Sequence, residues 1–330
     1  MTRFSAAISL YVLLGTGCVD SPASSGDGLS VADSLSVLTL NLHTYQEVHT
    51  DGVAESELTD AHAAARVANY AHIFDRIAAG INDLDADIVC LQEVGEWSGD
   101  RRNDPESIRF GESDSNMALQ IRERLDDGYF VSMDWSHFGF SVWLEGSAIL
   151  SKYPIIGEDS RYISRPQNSH AATWKSRNVP MATIRVPGRG DIDVFTVHTG
   201  WWGDNDEPFR EQFTRLLDWV GDTQEPGSTT VLCGDFNVAA GGPGYDFMTD
   251  GTGFADQFAL ANPDEFYTPT IGPAIDGWET RADAQRIDYV LINEDSPWRV
   301  AEARIIFTAA DYGVVSDHAG VFVRLVPTSD

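Results

Sequence analysis

TTVLCGDFNV, residues 229–238, is an apolar run rich in β-branched residues that ends in Asp235 and Asn237. Such a run predicts a buried strand that stops at polar residues. The same pattern recurs along the chain, where other apolar runs also begin or end at an acidic residue, an amide residue or a histidine. The predicted strands are 37–41, 87–92, 147–151, 180–186, 192–198, 229–236, 287–292, 303–307 and 320–325.

Two segments between these runs follow the 3.6-residue period of a helix with one buried face. Their apolar positions are Val67, Tyr70, Ile73, Ile77 and Ile81 in the first, and Phe209, Phe213, Leu216, Leu217 and Val220 in the second. Many strands with few, widely separated helices predict an α+β fold in which two sheets pack face to face between helices. No internal repeat is present, so one large domain over 36–327 is expected.

The first 18 residues have the composition of an export signal. Arg3 is followed by an apolar run from 4 to 14 that is too short to span a bilayer. The small residues before Cys18 resemble a lipoprotein cleavage site, so a secreted protein and a lipid-anchored one both remain open. Residues 19–35, rich in Ser, Gly, Asp and Ala, are predicted to be a flexible tether.

Charge and cysteine content limit which partners the protein is expected to bind and which compartment it is expected to occupy. The 51 acidic and 22 basic residues give a formal net charge of -29, which disfavours nucleic acid as a partner without excluding it. Cys90 and Cys233 each lie inside a predicted strand. Two buried, inert thiols are the favoured state, and a disulfide in an oxidising compartment is the alternative.

Polar residues at the ends of the predicted strands form a set. Each alone fits an ordinary turn, but together they supply carboxylates, amides and two histidines without a thiolate. Oxygen donors of this kind select Mg²⁺, with Mn²⁺ or Ca²⁺ as alternatives. The set consists of Asn41, Glu93, His198, Asp235, Asn237, Asp288, Asp317 and His318.

If this set of residues hydrolyses a phosphoester, each residue has a distinct expected task. Glu93 is the expected metal ligand, and Asn41 would complete or orient the shell. Asp235 could take a proton from water while Asn237 donates to the phosphate. A histidine used against phosphate needs its other ring nitrogen held, and we expect Asp288 to hold His318 and Glu145 to hold His198.

Seven ordered motifs resemble those of the endonuclease/exonuclease/phosphatase superfamily. They are LTLNLH (38–43), DIVCLQEV (87–94), EGSAILSKYPI (145–155), FTVHTGWW (195–202), CGDFNV (233–238), RIDYVLIN (286–293) and VSDHAGV (315–321). The resemblance implies a four-layer α/β/β/α sandwich with the site at one edge of the two sheets, and metal-dependent cleavage of phosphoesters by an activated water. NMALQIRERL (116–125) and HTGWW (198–202) look most like a bacterial branch that includes a phosphatase of phosphorylated maltose.

The resemblance also implies roles for individual residues. Glu93 matches the metal ligand and Asp235 the residue that activates water. The remaining matches are Asn41 beside the metal, Asn237 as the phosphate-binding amide, His198 and His318 as phosphate contacts, Asp288 as the partner of His318, and Asp317 as a metal-site or orienting carboxylate. By analogy with deoxyribonuclease I-like enzymes, Glu145 supports the first histidine and Arg177 contacts phosphate.

Three functions are open to such a chain. The first is exported hydrolysis of a small phosphorylated molecule, for example a sugar phosphate. The second is an extracellular endonuclease, which would need Lys and Arg along a groove beside Asp235. The third is a surface lipoprotein without catalysis. Aromatic residues near the motifs could stack on a sugar or base, or simply cover the sandwich edge; they are Trp135, Phe138, Phe140, Trp143, Trp201 and Trp202.

Overall fold

The computed structural model describes residues 34–46, 53–54, 57–99, 111, 113–140, 142–225, 227–272 and 284–328. The predicted export signal and nearly all of the predicted tether lie outside these residues. Within the described ranges, no helix is both long and apolar enough to cross a membrane.

Twelve strands make up the described sheets. They are β1 (Leu35–Asn41), β2 (Ile88–Trp97), β3 (Phe130–Gly139), β4 (Trp143–Ser151), β5 (Ile155–Tyr162), β6 (Asn178–Val186), β7 (Gly190–His198), β8 (Thr229–Asp235), β9 (Phe254–Asp256), β10 (Asp288–Asn293), β11 (Trp298–Ile306) and β12 (Gly320–Pro327). One sheet has the order β11-β12-β1-β2-β4-β3, and the other β5-β6-β7-β8-β10-β9. Both are mixed, since β1 runs parallel to β2 and β7 parallel to β8 while the other neighbours are antiparallel.

In the described ranges, five α-helices accompany the sheets: α1 (Asp60–Leu84), α2 (Met117–Arg122), α3 (Phe209–Thr223), α4 (Pro243–Thr249) and α5 (Gln257–Ala261). Helix α1 begins at a capping box between Thr59 and His62 and buries its apolar face against the outer side of the first sheet. Helix α3 does the same on the second sheet. Both predicted helices and the four-layer sandwich are thus confirmed.

The core between the two sheets is apolar and is drawn from alternate residues of the central strands. Val37 of β1 faces this core while Leu38 faces α1, as the two-residue period of a strand requires. Cys90 of β2 and Cys233 of β8 meet here and form a disulfide, with Cα atoms 6.5 Å apart. The prediction of two free thiols was wrong, because the two central strands bring both sulfur atoms to the same plane between the sheets.

The strands that the sequence failed to predict lie at sheet edges. β3 and β5 are the outermost strands on one side of their sheets, and β9 is outermost on the other side of the second sheet. Strand β5, IIGEDSRY, buries none of its residues fully. An edge strand is paired on one side only and needs little apolar character, so it lacks the apolar run that marks a central strand.

Candidate active site

Strand register brings the predicted site residues to one edge of the sandwich. In the first sheet Asn41 pairs with Gln92, directly before Glu93. In the second sheet Asp235 pairs with His198 on one side and with Asp288 on the other. Because parallel neighbours end at the same edge of a sheet, these residues from distant parts of the chain converge.

Unusual backbone conformations occur at three positions of the site. Glu93 has a φ of 48° and lies where the pairing of β2 with β4 shifts register between Leu91 and Val94. This bulge turns the Glu93 side chain toward the site. Asn237 has a φ of 51°, a region that asparagine tolerates better than most residues. At Gly234 a Cβ would stand 1.9 Å from the Val197 carbonyl oxygen, so only glycine fits.

Asn41 links the two central carboxylates. Its Nδ2 donates to Glu93 Oε1 at 2.9 Å and to Asp235 Oδ2 at 3.1 Å, while its Oδ1 accepts from the His43 backbone at 3.0 Å. Asn41 is fully buried, so these bonds are shielded from water. Of the two tasks expected for Asn41, the contacts fit orientation of the carboxylates.

The two predicted histidines lie on either side of Asp235. His318 Nε2 is 3.8 Å and His198 Nε2 3.7 Å from Asp235 Oδ2. His318 Nδ1 lies 2.9 Å from Asp288 Oδ2, which is the pairing that the sequence predicted.

The two imidazoles have opposite charge preferences. Burial lowers the pKa of His318, but the negative charges of Asp288, Asp317 and Asp235 outweigh burial and raise that pKa well above its ordinary value. Burial and the positive charge of Arg177 lower the pKa of His198 well below its ordinary value. Near neutral pH the site therefore presents one imidazolium and one neutral imidazole.

The central carboxylates lack a full set of positive partners. Burial raises the pKa of Glu93 to about 8, and the negative charges of Glu145 and Asp317 add to the rise. Burial also raises the pKa of Asp235 to about 7, although His318 opposes the change. A bound cation would stabilise the ionised form of these crowded carboxylates.

The donor atoms fit such a cation. One ligand atom each from Glu93, His198 and Asp235 lies within 4.8 Å of the others, and the same holds for Asp235, Asp288 and His318. In addition, the buried Asp288 Oδ1 has no hydrogen-bond partner among the described residues. Carboxylate oxygens dominate both groups, which favours a hard divalent ion.

The predicted phosphate contacts also reach this edge. Asn237 donates its amide to the Thr199 carbonyl at 2.9 Å and lies 3.3 Å from Asp235 Oδ2. Arg177 is buried; its Nη1 donates to the Trp174 carbonyl at 3.3 Å and its Nε has no partner among the described residues. Both side chains line the cavity described below, and their roles toward phosphate stay predictions.

Glu145 has a different partner from the one expected. Its Oε1 lies 3.0 Å from His137 Nε2, and its Oε2 accepts from Thr44 at 2.8 Å. The prediction that Glu145 holds His198 was wrong, because strand β4 places this carboxylate opposite His137 of β3.

His137, His43 and Thr44 were missed by sequence reasoning. His43 Nδ1 lies 3.5 Å from Asp317 Oδ1. Residues 43–45 all have positive φ, which turns the chain sharply after β1. The histidine in LTLNLH was a visible signal for His43, whereas nothing in the β3 sequence pointed to His137.

A cavity of about 470 Å³, a size typical of small-molecule sites, is lined by the site residues Glu93, His198, Asp235, Asn237, Asp317 and His318. Of the six aromatic residues noted in the sequence, Phe138, Phe140 and Trp201 line it. Trp143 instead stacks on Tyr45 in the core, and Trp202 packs near Phe209. The exposed Trp174, which the sequence did not single out, also lines the cavity.

Comparison with known proteins agrees with this geometry. Residues 38–318 match the sequence model of the Endonuclease/Exonuclease/phosphatase family. The chain is 26% identical over 210 residues to the protein YbhP of Escherichia coli (strain K12), an alignment that covers 62% of this chain and 67% of that protein.

Solved structures show the same fold. An endonuclease/exonuclease/phosphatase family protein from Leptotrichia buccalis superposes with a TM-score of 0.68 at 23% identity, covering 88% of this chain and 99% of the other. The mannosyl-6-phosphatase of Bacteroides thetaiotaomicron superposes with a TM-score of 0.60 at 18% identity, again covering 88% and 99%.

Proposed function

The chain belongs to the endonuclease/exonuclease/phosphatase family, and from this premise we propose that it is an exported, Mg²⁺-dependent hydrolase of a small phosphorylated molecule such as a sugar phosphate. Members of the family are metal-dependent phosphoester hydrolases that act on phosphorylated substrates. The ion, the substrate and the location are the parts of this proposal that go beyond family membership.

The convergence of Glu93, Asp235 and His318 on one cavity is the observation that carries the proposal. Asp235 is the base: its carboxylate lines the cavity between the two site histidines, where it can accept a proton from water. The His318 imidazolium, held by Asp288, donates to a phosphate oxygen on which negative charge develops. Asn237 and Arg177 supply further donors at the cavity wall.

The divalent ion would be held by Glu93, with Asp235 and His198 beside it. When bound, it polarises a phosphate oxygen. Mg²⁺ is the first choice because Glu93 and Asp235 supply oxygen donors, with Mn²⁺ and Ca²⁺ as the alternatives. Asn41 keeps both carboxylates in place through its amide hydrogens.

Charge supports a small substrate over nucleic acid. Among the described residues that line the cavity, Arg177 is the single lysine or arginine. A nuclease contacts several backbone phosphates through such residues, and the net charge of -29 opposes a polyanion at long range. The similar fold of a mannosyl-6-phosphatase makes sugar phosphates the first substrates to test.

Two features support a location outside the cytoplasm. Residues 1–18 have the composition expected of an export signal, and Cys18 is the proposed site of lipidation if the protein is anchored. The Cys90–Cys233 disulfide fits an oxidising compartment, where such bonds persist. We therefore propose that the enzyme works in the cell envelope or the medium.

A side-by-side screen tests the proposal. The mature protein is assayed with Mg²⁺ or Mn²⁺ against sugar phosphates, nucleotides, phospholipid head groups and DNA, with Asp235→Asn as the inactive control. We expect a sugar phosphate or related small ester to be turned over fastest. DNA cleavage at a matching rate would establish the nuclease alternative, and no metal-dependent turnover of any ester would establish the surface-protein alternative.

A further inference from the structure

Two tryptophans from separate loops meet at the cavity. Trp174 precedes β6 and is 57% exposed, and Trp201 follows β7. Their ring centroids are 6.0 Å apart and their planes are inclined by 51°. Both residues line the cavity that holds the catalytic groups. The two rings thus form an open aromatic corner next to the reaction centre.

A third aromatic residue extends this apolar wall. Phe140, at the end of β3, is 44% exposed and also lines the cavity. Its ring centroid is 6.3 Å from that of His43, which places it beside the polar residues of the site. Large exposed aromatic side chains carry a solvation cost that a bound ligand can relieve. The cavity therefore has a polar catalytic end and an aromatic end.

Ion pairs hold the two tryptophan loops together. Lys175, next to Trp174, lies 2.6 Å from Asp204 and 3.1 Å from Asp206 of the loop that carries Trp201. The buried Glu207 of the same loop accepts from the backbone of Arg165 at 3.0 Å. The corner is therefore fixed before a ligand arrives, which lowers the entropy cost of binding.

The backbone of each tryptophan lies next to a residue that would face the phosphate. The Trp174 carbonyl accepts from Arg177 Nη1, and Trp201 comes three residues after His198. A phosphate at the catalytic end would leave its alcohol part within reach of the aromatic corner. The corner is then placed to select among leaving groups.

Ring shape distinguishes a sugar from a nucleobase as the group that the aromatic corner can bind. A planar base can stack on one ring but not on two rings inclined by 51°. A puckered pyranose presents C–H groups in more than one plane and can contact both.

We propose that Trp174, Trp201 and Phe140 form a subsite for the pyranose ring of a hexose phosphate. This inference rests on the proposed function, since it assigns the leaving group of that same reaction. The aromatic corner binds the C–H faces of the sugar, while the phosphate group of the same molecule lies at the catalytic end of the cavity.

Kinetics with paired substrates tests the subsite. A hexose 6-phosphate is compared with glycerol 3-phosphate, an acyclic ester with a similar leaving group, and with a nucleoside 5′-monophosphate. In Trp174→Ala and Trp201→Ala we expect the ratio of kcat/KM for the hexose ester to that for the glycerol ester to fall about tenfold. Phe130→Ala, an equally exposed aromatic at the opposite end of β3, should keep the ratio.

An unchanged ratio would overturn the subsite, whether both esters lose kcat/KM equally or neither loses any. A nucleotide preferred over the hexose ester, with the same tryptophan dependence, would overturn the assignment to a sugar. Binding provides a test that does not need turnover: calorimetry of the hexose 6-phosphate with Asp235→Asn in Mg²⁺ should show affinity lost on adding Trp174→Ala. If the wild type hydrolyses nothing yet this binding difference is found, the proposed function fails and the subsite stands.

Discussion

The carboxylate of Glu145 lies 3.0 Å from His137 Nε2, and its other oxygen accepts from Thr44 at 2.8 Å. Thr44 shares its single hydroxyl hydrogen between this carboxylate and the backbone carbonyl of Glu93, which lies 2.9 Å from Oγ1. Burial alone would raise the pKa of Glu145, but the charges of His137 and Arg177 and the Thr44 hydroxyl outweigh burial and hold that pKa at about 2. An ionised carboxylate thus supports the bulge from which Glu93 reaches the metal site.

Glu145→Gln should weaken the binding of Mg²⁺, because it removes this support from Glu93. The amide can accept from Thr44 or from His137, but its NH₂ group cannot satisfy a second donor. We expect the Mg²⁺ concentration for half-maximal activity to rise about tenfold, as is common when an outer partner of a ligand is lost. Activity titration against Mg²⁺, together with calorimetry of Mg²⁺ binding, measures the change.

Glu158→Gln is the matched control for this prediction, because Glu158 is exposed on the edge strand β5. It should leave the Mg²⁺ titration unchanged. Identical titrations for wild type and Glu145→Gln would show that the Thr44 contact does not govern the position of Glu93.

The sequence predicted the centre of the site better than its support. The central site residues lie in short motifs at strand ends, so the apolar pattern alone is enough to identify Glu93, Asp235 and His318. His137 lies in β3, an edge strand without an apolar run, and pairs with Glu145 through strand register. Register between strands distant in sequence is set by the whole sheet, and local patterns do not contain it.

The same distinction applies to the fold. Central strands such as β8 were predicted because both of their faces are buried, and all seven residues of β8 are buried. The N-terminal part of β11, with alternating exposure from Trp298, was not predicted. The disulfide is a related case: the sequence placed Cys90 and Cys233 in buried strands, but only the packing of two sheets brings them together.

Asp235→Asn and His318→Ala should each lower kcat by at least about a hundredfold. The first removes the proton acceptor, and the second removes a preorganised donor whose loss typically has this size of effect. KM should change less, because other groups still contact the phosphate. Steady-state kinetics at saturating Mg²⁺ gives both constants, with Asp246→Asn, an exposed acid on α4, as the control. Near-normal rates in both variants would remove Asp235 and His318 from the chemistry.

Replacing both cysteines should destabilise the protein. The Cys90–Cys233 bond closes a loop of 143 residues between the two sheets. Loss of such a cross-link frees the unfolded chain and lowers the free energy of unfolding by about 2–5 kcal/mol. Guanidinium unfolding of wild type and Cys90→Ala/Cys233→Ala, each with and without reductant, measures this loss. Reductant should destabilise the wild type alone; an equal effect on both proteins would contradict the prediction.

Glu93 should make the metal-free protein sensitive to alkaline pH. Burial raises the pKa of Glu93 to about 8 in the folded protein, while 4.5 is its ordinary value. The folded state holds this proton more tightly than the unfolded chain, so the stability it contributes is full below about 4.5 and is lost as the pH rises through 8. Between pH 7 and 9 in chelator, wild type should therefore lose more thermal stability than Glu93→Gln, which has no proton to release.

Mg²⁺ should reverse this difference, because a cation stabilises the ionised form of Glu93 and binds only the folded site. At pH 9 the ion should raise the Tm of the wild type by several degrees, and that of Glu93→Gln by much less. Asp235 and His318 remain in both proteins, so their titration affects both melting curves. Parallel pH profiles, or equal shifts with Mg²⁺, would mean that Glu93 neither holds the proton nor binds the ion.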